Sequence, residues 1–160
     1  MPAVEIVYTN PTLEDLPDDR CKTAYQFWLA ARAGADLPPP EAIDVLMIPR
    51  SILPQVSIYD VEEGEKHFRF RFVGPAVAGA IGFDPTGTYF DDVPGSSALI
   101  GRLLDCVEAR QPYFYQGPLF WRNVEIPAYR TLVMPFAKRG APVALVMTFS
   151  ESYRSPGAQA

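Results

Sequence analysis

Seventeen prolines and eleven glycines punctuate this chain of 160 residues. A proline inside a helix removes a backbone hydrogen bond and clashes with the preceding turn, at a cost of about 3 kcal/mol. Coiled coils and long helical bundles are therefore excluded, and the chain must be built from short elements joined by turns. Its length suits one domain, at about 100–200 residues per core. Such a chain can bury a core without disulfides or metal. Ten Phe, eight Tyr and two Trp argue against disorder and for a core of large rings or a ring-lined cavity.

Between the breakers, apolar spacing defines the elements. Residues 1–18 read as an N-terminal arm. Its acidic end, Glu14 to Asp19, suits the positive end of a helix dipole. A helix is predicted over about Asp19–Ala33, with Cys21, Ala24, Tyr25, Trp28 and Ala31 as one apolar stripe. Phe27 and Leu29 widen it, and Gly34 ends it. Leu37-Pro38-Pro39-Pro40 is a stiff connector. A short helical turn is expected over 41–47. Strands follow at Val56–Val61 and His67–Val73, joined by the charged loop Glu62–Lys66. Alternation in the second puts Phe68, Phe70 and Phe72 on one face. Residues 76–81 allow one or two helical turns, and residues 83–93 a loop. Pro94-Gly95-Ser96-Ser97 starts a helix, with Ser96 or Ser97 as N-cap. Leu99, Ile100, Leu103, Leu104 and Val107 form its stripe. Three strands complete the chain, at Tyr113–Phe120 (with Trp121-Arg122-Asn123 near its end), Tyr129–Ala137 and Val143–Ser150. The expectation is an α+β domain over 19–151 with a frayed tail over 152–160.

Charge narrows the partners. The net charge is −5, so there is no basic footprint for nucleic acid, and an anionic membrane is a poor match. No run of 18 apolar residues occurs, and Met1 to Asn10 lacks the pattern of a secretory signal. A cytoplasmic protein is expected, with no membrane and no nucleic acid among its partners. Cys21 and Cys106, both in helical segments, read as buried reduced thiols.

The order of elements, and a series of motifs, resemble a family of stand-alone bacterial PAS-domain proteins. The motifs are Tyr25-Gln26-Phe27-Trp28, then Pro49-Arg50-Ser51-Ile52-Leu53-Pro54 and Ile58-Tyr59-Asp60-Val61. After these come Phe68 to Gly74, Gly82-Phe83-Asp84-Pro85-Thr86-Gly87, and Tyr129 to Phe136. The resemblance spans residues 20 to 150. It implies a PAS fold: a five-stranded antiparallel sheet with helices on one face enclosing a small cavity, plus an extra N-terminal helix. It also implies a sensor or adaptor that binds a small molecule or a protein partner, and supplies no catalytic residue.

The residues themselves set the chemistry. The single His67 begins a strand, away from the three Phe, which argues against haem. Photoactive flavin PAS domains use a cysteine in a short helix; here that stretch is Ala76-Val77-Ala78-Gly79-Ala80, which argues against that photochemistry. No cofactor is assigned. No Cys/His spacing resembles a metal site, and no nucleophile elbow occurs. A ligand pocket is expected among Phe70, Phe72, Leu103, Val107, Tyr113, Tyr115, Tyr129, Thr131, Arg130 and Met147, with aromatic walls and a few polar tips. A solid aromatic core is the competing reading. Alternation puts Arg130 with Leu132, Met134 and Phe136, either as a buried functional Arg or at a strand end where phase is lost; the second is preferred. A homodimer is expected through Tyr25, Trp28 and Leu29 on the first helix. The alternative function is a small enzyme, of isomerase or hydratase type, on a cavity-containing α+β fold, which would need a desolvated acid–base group.

Overall fold

The computed structural model of the protein describes residues 5–121 and 124–152. Six strands form one antiparallel sheet: β1 (Ile6–Thr9), β2 (Val56–Val61), β3 (Phe68–Val73), β4 (Tyr113–Trp121), β5 (Val124–Phe136) and β6 (Leu145–Ser152). Their order across the sheet is β1-β4-β5-β6-β2-β3. Three α-helices accompany it: α1 (Asp19–Ala31), α2 (Pro75–Ile81) and α3 (Ser97–Ala109). No helix among the described residues is long and apolar enough to cross a membrane.

Period two divides the sheet into two faces. Leu132, Met134 and Phe136 of β5 pair with Phe149, Met147 and Leu145 of β6 on the first face, and all six are buried. Helix α1 covers this face with Cys21, Ala24, Tyr25 and Trp28. The indole N–H of Trp28 donates to the Pro135 carbonyl at 2.8 Å. The second face carries Tyr129, Thr131 and Val133 of β5 beside Ser57 and Tyr59 of β2 and Thr148 and Ser150 of β6. Helices α2 and α3 lie over it. Both faces are thus covered, which explains why the central strands are almost wholly buried.

Several expectations change. The sheet has six strands rather than five, because the N-terminal arm supplies β1, which pairs with β4 from Ile6↔Gln116 to Thr9↔Tyr113. Helix α1 ends at Ala31, and the turn expected over 41–47 is two separate 3-10 turns, Pro40–Ala42 and Val45–Met47. Strand β5 begins at Val124, five residues before its expected start. Ser96 is the N-cap of α3, but its side chain makes no capping hydrogen bond. The three-Phe face fails at one position. Phe70 pairs with Tyr59 and Phe72 with Ile58, so a β-bulge leaves Arg71 without an opposite residue and turns Phe72 to the other face. Ser152, expected in the tail over 152–160, still belongs to β6; Arg122, Asn123 and residues 153–160 lie outside the described residues.

Two of the sequence motifs meet at Gly74. A Cβ there would lie 2.4 Å from the Pro54 carbonyl oxygen, so only glycine admits the turn Leu53–Gln55 against the start of α2.

Candidate functional site

A cavity of about 310 Å³ lies between the second face of the sheet and helices α2 and α3. Its walls are apolar: Ala76, Val77, Ala80 and Ile81 from α2, Leu99 and Leu103 from α3, Phe90, and Leu119, Trp121 and Ile126 from the β4–β5 hairpin. Its floor is polar. Alternation along β2, β5 and β6 presents six hydroxyls, from Ser57, Tyr59, Tyr129, Thr131, Thr148 and Ser150. They fall into two groups. Thr131 Oγ1 and Ser150 Oγ are 2.8 Å apart. Burial raises the Tyr129 hydroxyl above its ordinary pKa, and the Ser150 and Thr131 hydroxyls beside it partly offset that. Tyr59 is likewise pushed up by burial, with Ser57 and Thr148 acting the other way. Hydroxyls both donate and accept, so this floor can turn toward either kind of ligand atom.

At the end of the sheet where β2 starts and β6 finishes, Arg20, Gln55 and Glu151 join the lining. Arg20 Nη1 donates to Glu151 Oε2 at 2.7 Å, and Arg20 also donates to Gln55. Behind Glu151, on the α1 side, Arg130 Nη1 is 2.9 Å from Asp18 Oδ2, with Arg130 Nε 3.7 Å from Glu151 Oε1. Asp18 also caps α1, accepting from the Cys21 N–H at 2.8 Å. One carboxylate therefore ties the helix start to the sheet.

Asp18, Cys21 and Glu151 each bring one potential metal-ligating atom within 4.8 Å of the others. Their chemistry is that of an ion-pair network instead. Arg130 and the α1 backbone already occupy the Asp18 oxygens, and burial raises the Cys21 thiol far above its ordinary pKa, keeping it protonated.

The two carboxyls shift in opposite directions. Burial, then the negative charge of Asp18, holds Glu151 above its ordinary value of 4.5, despite Arg20 and Arg130. Burial also acts upward on Asp18, but the Cys21 N–H and Arg130 outweigh it, so Asp18 sits below its ordinary 3.8. By linkage, the stability from Asp18 is present above pH 3.8 and is lost as pH falls through its lowered value. The contribution of Glu151 is complete below pH 4.5 and is lost as pH rises through its raised value. Glu151→Gln is therefore expected to flatten the fall in melting temperature from pH 4.5 toward neutrality. A variant curve parallel to that of the unmodified protein would count against this assignment.

Of the expected pocket residues, Leu103, Tyr129 and Thr131 line the cavity. Phe70 instead packs in a ring cluster, 4.9 Å from Tyr59 and 5.1 Å from Phe90 between centroids. Val107 packs on the core. Tyr113 lines a second pocket, away from the cavity, with Cys106 and Thr9. Tyr115 stacks with Arg102 and packs on Tyr129. Met147 and Arg130 face α1, and Phe72 is displaced by the bulge. Phase is not lost at Arg130: it is 7% exposed on the same face as Leu132, so the strand-end reading is corrected. The expected dimer contact is also corrected at Tyr25 and Trp28, which are 4% and 2% exposed inside the protein's own core. The Tyr25 hydroxyl donates to the Pro11 carbonyl. Leu29 is half-buried against that core.

The residue that sequence reasoning missed is Arg102. The spacing Leu99, Arg102, Leu103, Cys106 is i, i+3, i+4, i+7, so Arg102 belongs to the inward stripe of α3. That position was the available signal. The other four floor hydroxyls, of Ser57, Tyr59, Thr148 and Ser150, were missed because polar alternation in a strand ordinarily marks a solvent face.

No family model matches the chain, and no curated protein matches it. A solved structure described as an RNA-binding Light-Oxygen-Voltage receptor is similar in fold, with a TM-score of 0.51 and 11% sequence identity. The match covers 94% of this chain and 39% of that one, so this chain spans well under half of the neighbour's length. The likeness shows the fold alone: an α+β fold of PAS type.

Proposed function

We propose that this chain is a PAS-type sensory or adaptor module of bacterial kind, which holds a small organic ligand in the cavity beneath α2 and α3. The observation that carries this is the cavity itself, apolar in its walls and hydroxyl-lined on its floor, the usual form of a small-ligand site. Occupancy would leave the domain through contact with a second copy or another protein. The chemistry of the structural neighbour is not carried over. A net charge of −5 disfavours RNA phosphates overall. The lining also contains neither Cys21 nor Cys106, which argues against a cysteine–flavin photocycle.

The test is native against denaturing mass spectrometry of the freshly purified protein, with an absorption spectrum alongside. A stoichiometric mass lost on denaturing is expected, and Thr131→Phe, which fills the floor, is expected to abolish it. Retention of that mass by a folded Thr131→Phe protein would place the ligand elsewhere and overturn the reading.

A second reading, a small enzyme, is favoured by one observation: the desolvated Glu151 carboxyl stands in the lining, where a raised pKa suits a general acid or base. A released compound recovered chemically unchanged after incubation with the protein supports the sensor. Conversion that Glu151→Gln stops supports the enzyme.

A further inference from the structure

We infer that the cavity's ligand is a small organic acid, an apolar body bearing one carboxylate, with Arg102 receiving the carboxylate. This rests on the ligand-binding reading of the cavity. Arg102 occupies the inward stripe of α3 and forms part of the lining. Its guanidinium carbon lies 3.7 Å from the centre of the Tyr115 ring, so stacking fixes the plane of its donors. Nη1 is buried and has no hydrogen-bond partner among the described residues. A buried guanidinium donor left unpaired is costly, and an oxyanion relieves it best.

The charge of the lining points the same way. Its ionisable acids and bases, tyrosines aside, are Arg20, Arg102 and Glu151. Arg20 and Glu151 are paired at 2.7 Å. No carboxylate lies within ion-pair distance of Arg102 among the described residues, so the ionisable acids and bases of the lining sum to one positive charge. A monoanion balances it, an ammonium ligand is repelled, and a phosphate dianion overshoots. The floor hydroxyls of Tyr129, Thr131 and Ser150 can serve the remaining polar atoms. The volume, near the lower end of the roughly 300–1,000 Å³ range of ligand sites, restricts the body to a single ring or a short chain.

The experiment is calorimetric titration of the full chain with phenylacetate, phenylacetamide and phenethylamine, matched in shape and differing in charge. Phenylacetate is expected to bind, phenylacetamide more weakly, and phenethylamine not at all. Arg102→Gln is expected to weaken phenylacetate about 10- to 100-fold, as for loss of a charge-assisted hydrogen bond, while leaving the amide close to unchanged. Arg102→Lys should restore part of the loss. Equal binding of acid and amide to the natural protein overturns the acid assignment and leaves the cavity reading standing. Binding of none of the three overturns both. Should Arg102→Gln fail to fold, the acid–amide comparison in the natural protein decides the question by itself.

Discussion

Trp28→Ala is expected to cost about 3–5 kcal/mol of stability, the usual range for removing a fully buried large aromatic. The side chain is 2% exposed. It stacks on Tyr25 at 5.7 Å and lies 5.3 Å beneath the Arg32 guanidinium. Truncation opens a cavity between α1 and β5 and also leaves the Pro135 carbonyl without its indole donor, so both losses act together. Urea denaturation followed by tryptophan fluorescence of the remaining Trp121, or by circular dichroism, measures it. A loss below about 1 kcal/mol together with a change from dimer to monomer would return Trp28 to an interface role and defeat the packing argument.

Arg130→Ala is the second large effect, at about 3–5 kcal/mol, the range for breaking a buried ion pair from one side. The lower end is expected, since the Asp18 side chain is 34% exposed and water screens part of the loss. Without the guanidinium, Asp18 and Glu151 face each other with one fewer cation between them, and Glu151 rises further. The loss should therefore be greatest near neutral pH and shrink as the solution is acidified toward the carboxyl range. A double variant, Arg130→Met with Glu151→Gln, removes the uncompensated charge and should recover much of the stability. Additive losses in the double variant would contradict the coupling between these residues.

These two residues show what was legible in the sequence and what was not. The stripe containing Trp28 was readable from spacing, but its partner was not: the same apolar face fits this sheet or a second copy, and only the Pro135 contact decides. The phase of β5 placed Arg130 correctly among Leu132, Met134 and Phe136. Spacing alone does not decide between that placement and a strand end, because the partners a buried Arg needs, Asp18 and Glu151, lie on other elements. Phe72 was misplaced because a bulge is a property of two strands in register, invisible in one. The cavity floor was hidden by a similar ambiguity. Hydroxyls alternating with apolar residues on β2 and β6 look alike whether they face water or an enclosed space. Arg102, in contrast, carried its own signal, a charge at an inward position of an apolar helical stripe.

The strand order also has a consequence in time. Strands β4, β5 and β6 follow one another as a meander, and β2 with β3 is a hairpin, so both units close short loops. The seams between units are long: β2 meets β6 at Val56↔Phe149, and β1 meets β4 at Ile6↔Gln116. Long-range pairing must meet its loop-closure entropy before contacts reward it. The two local units are therefore expected to assemble before the sheet is sealed. Strand β1, an edge strand with Val7 49% exposed and the longest seam, is expected to zip on last and to surrender its amide hydrogens first in a hydrogen-exchange measurement.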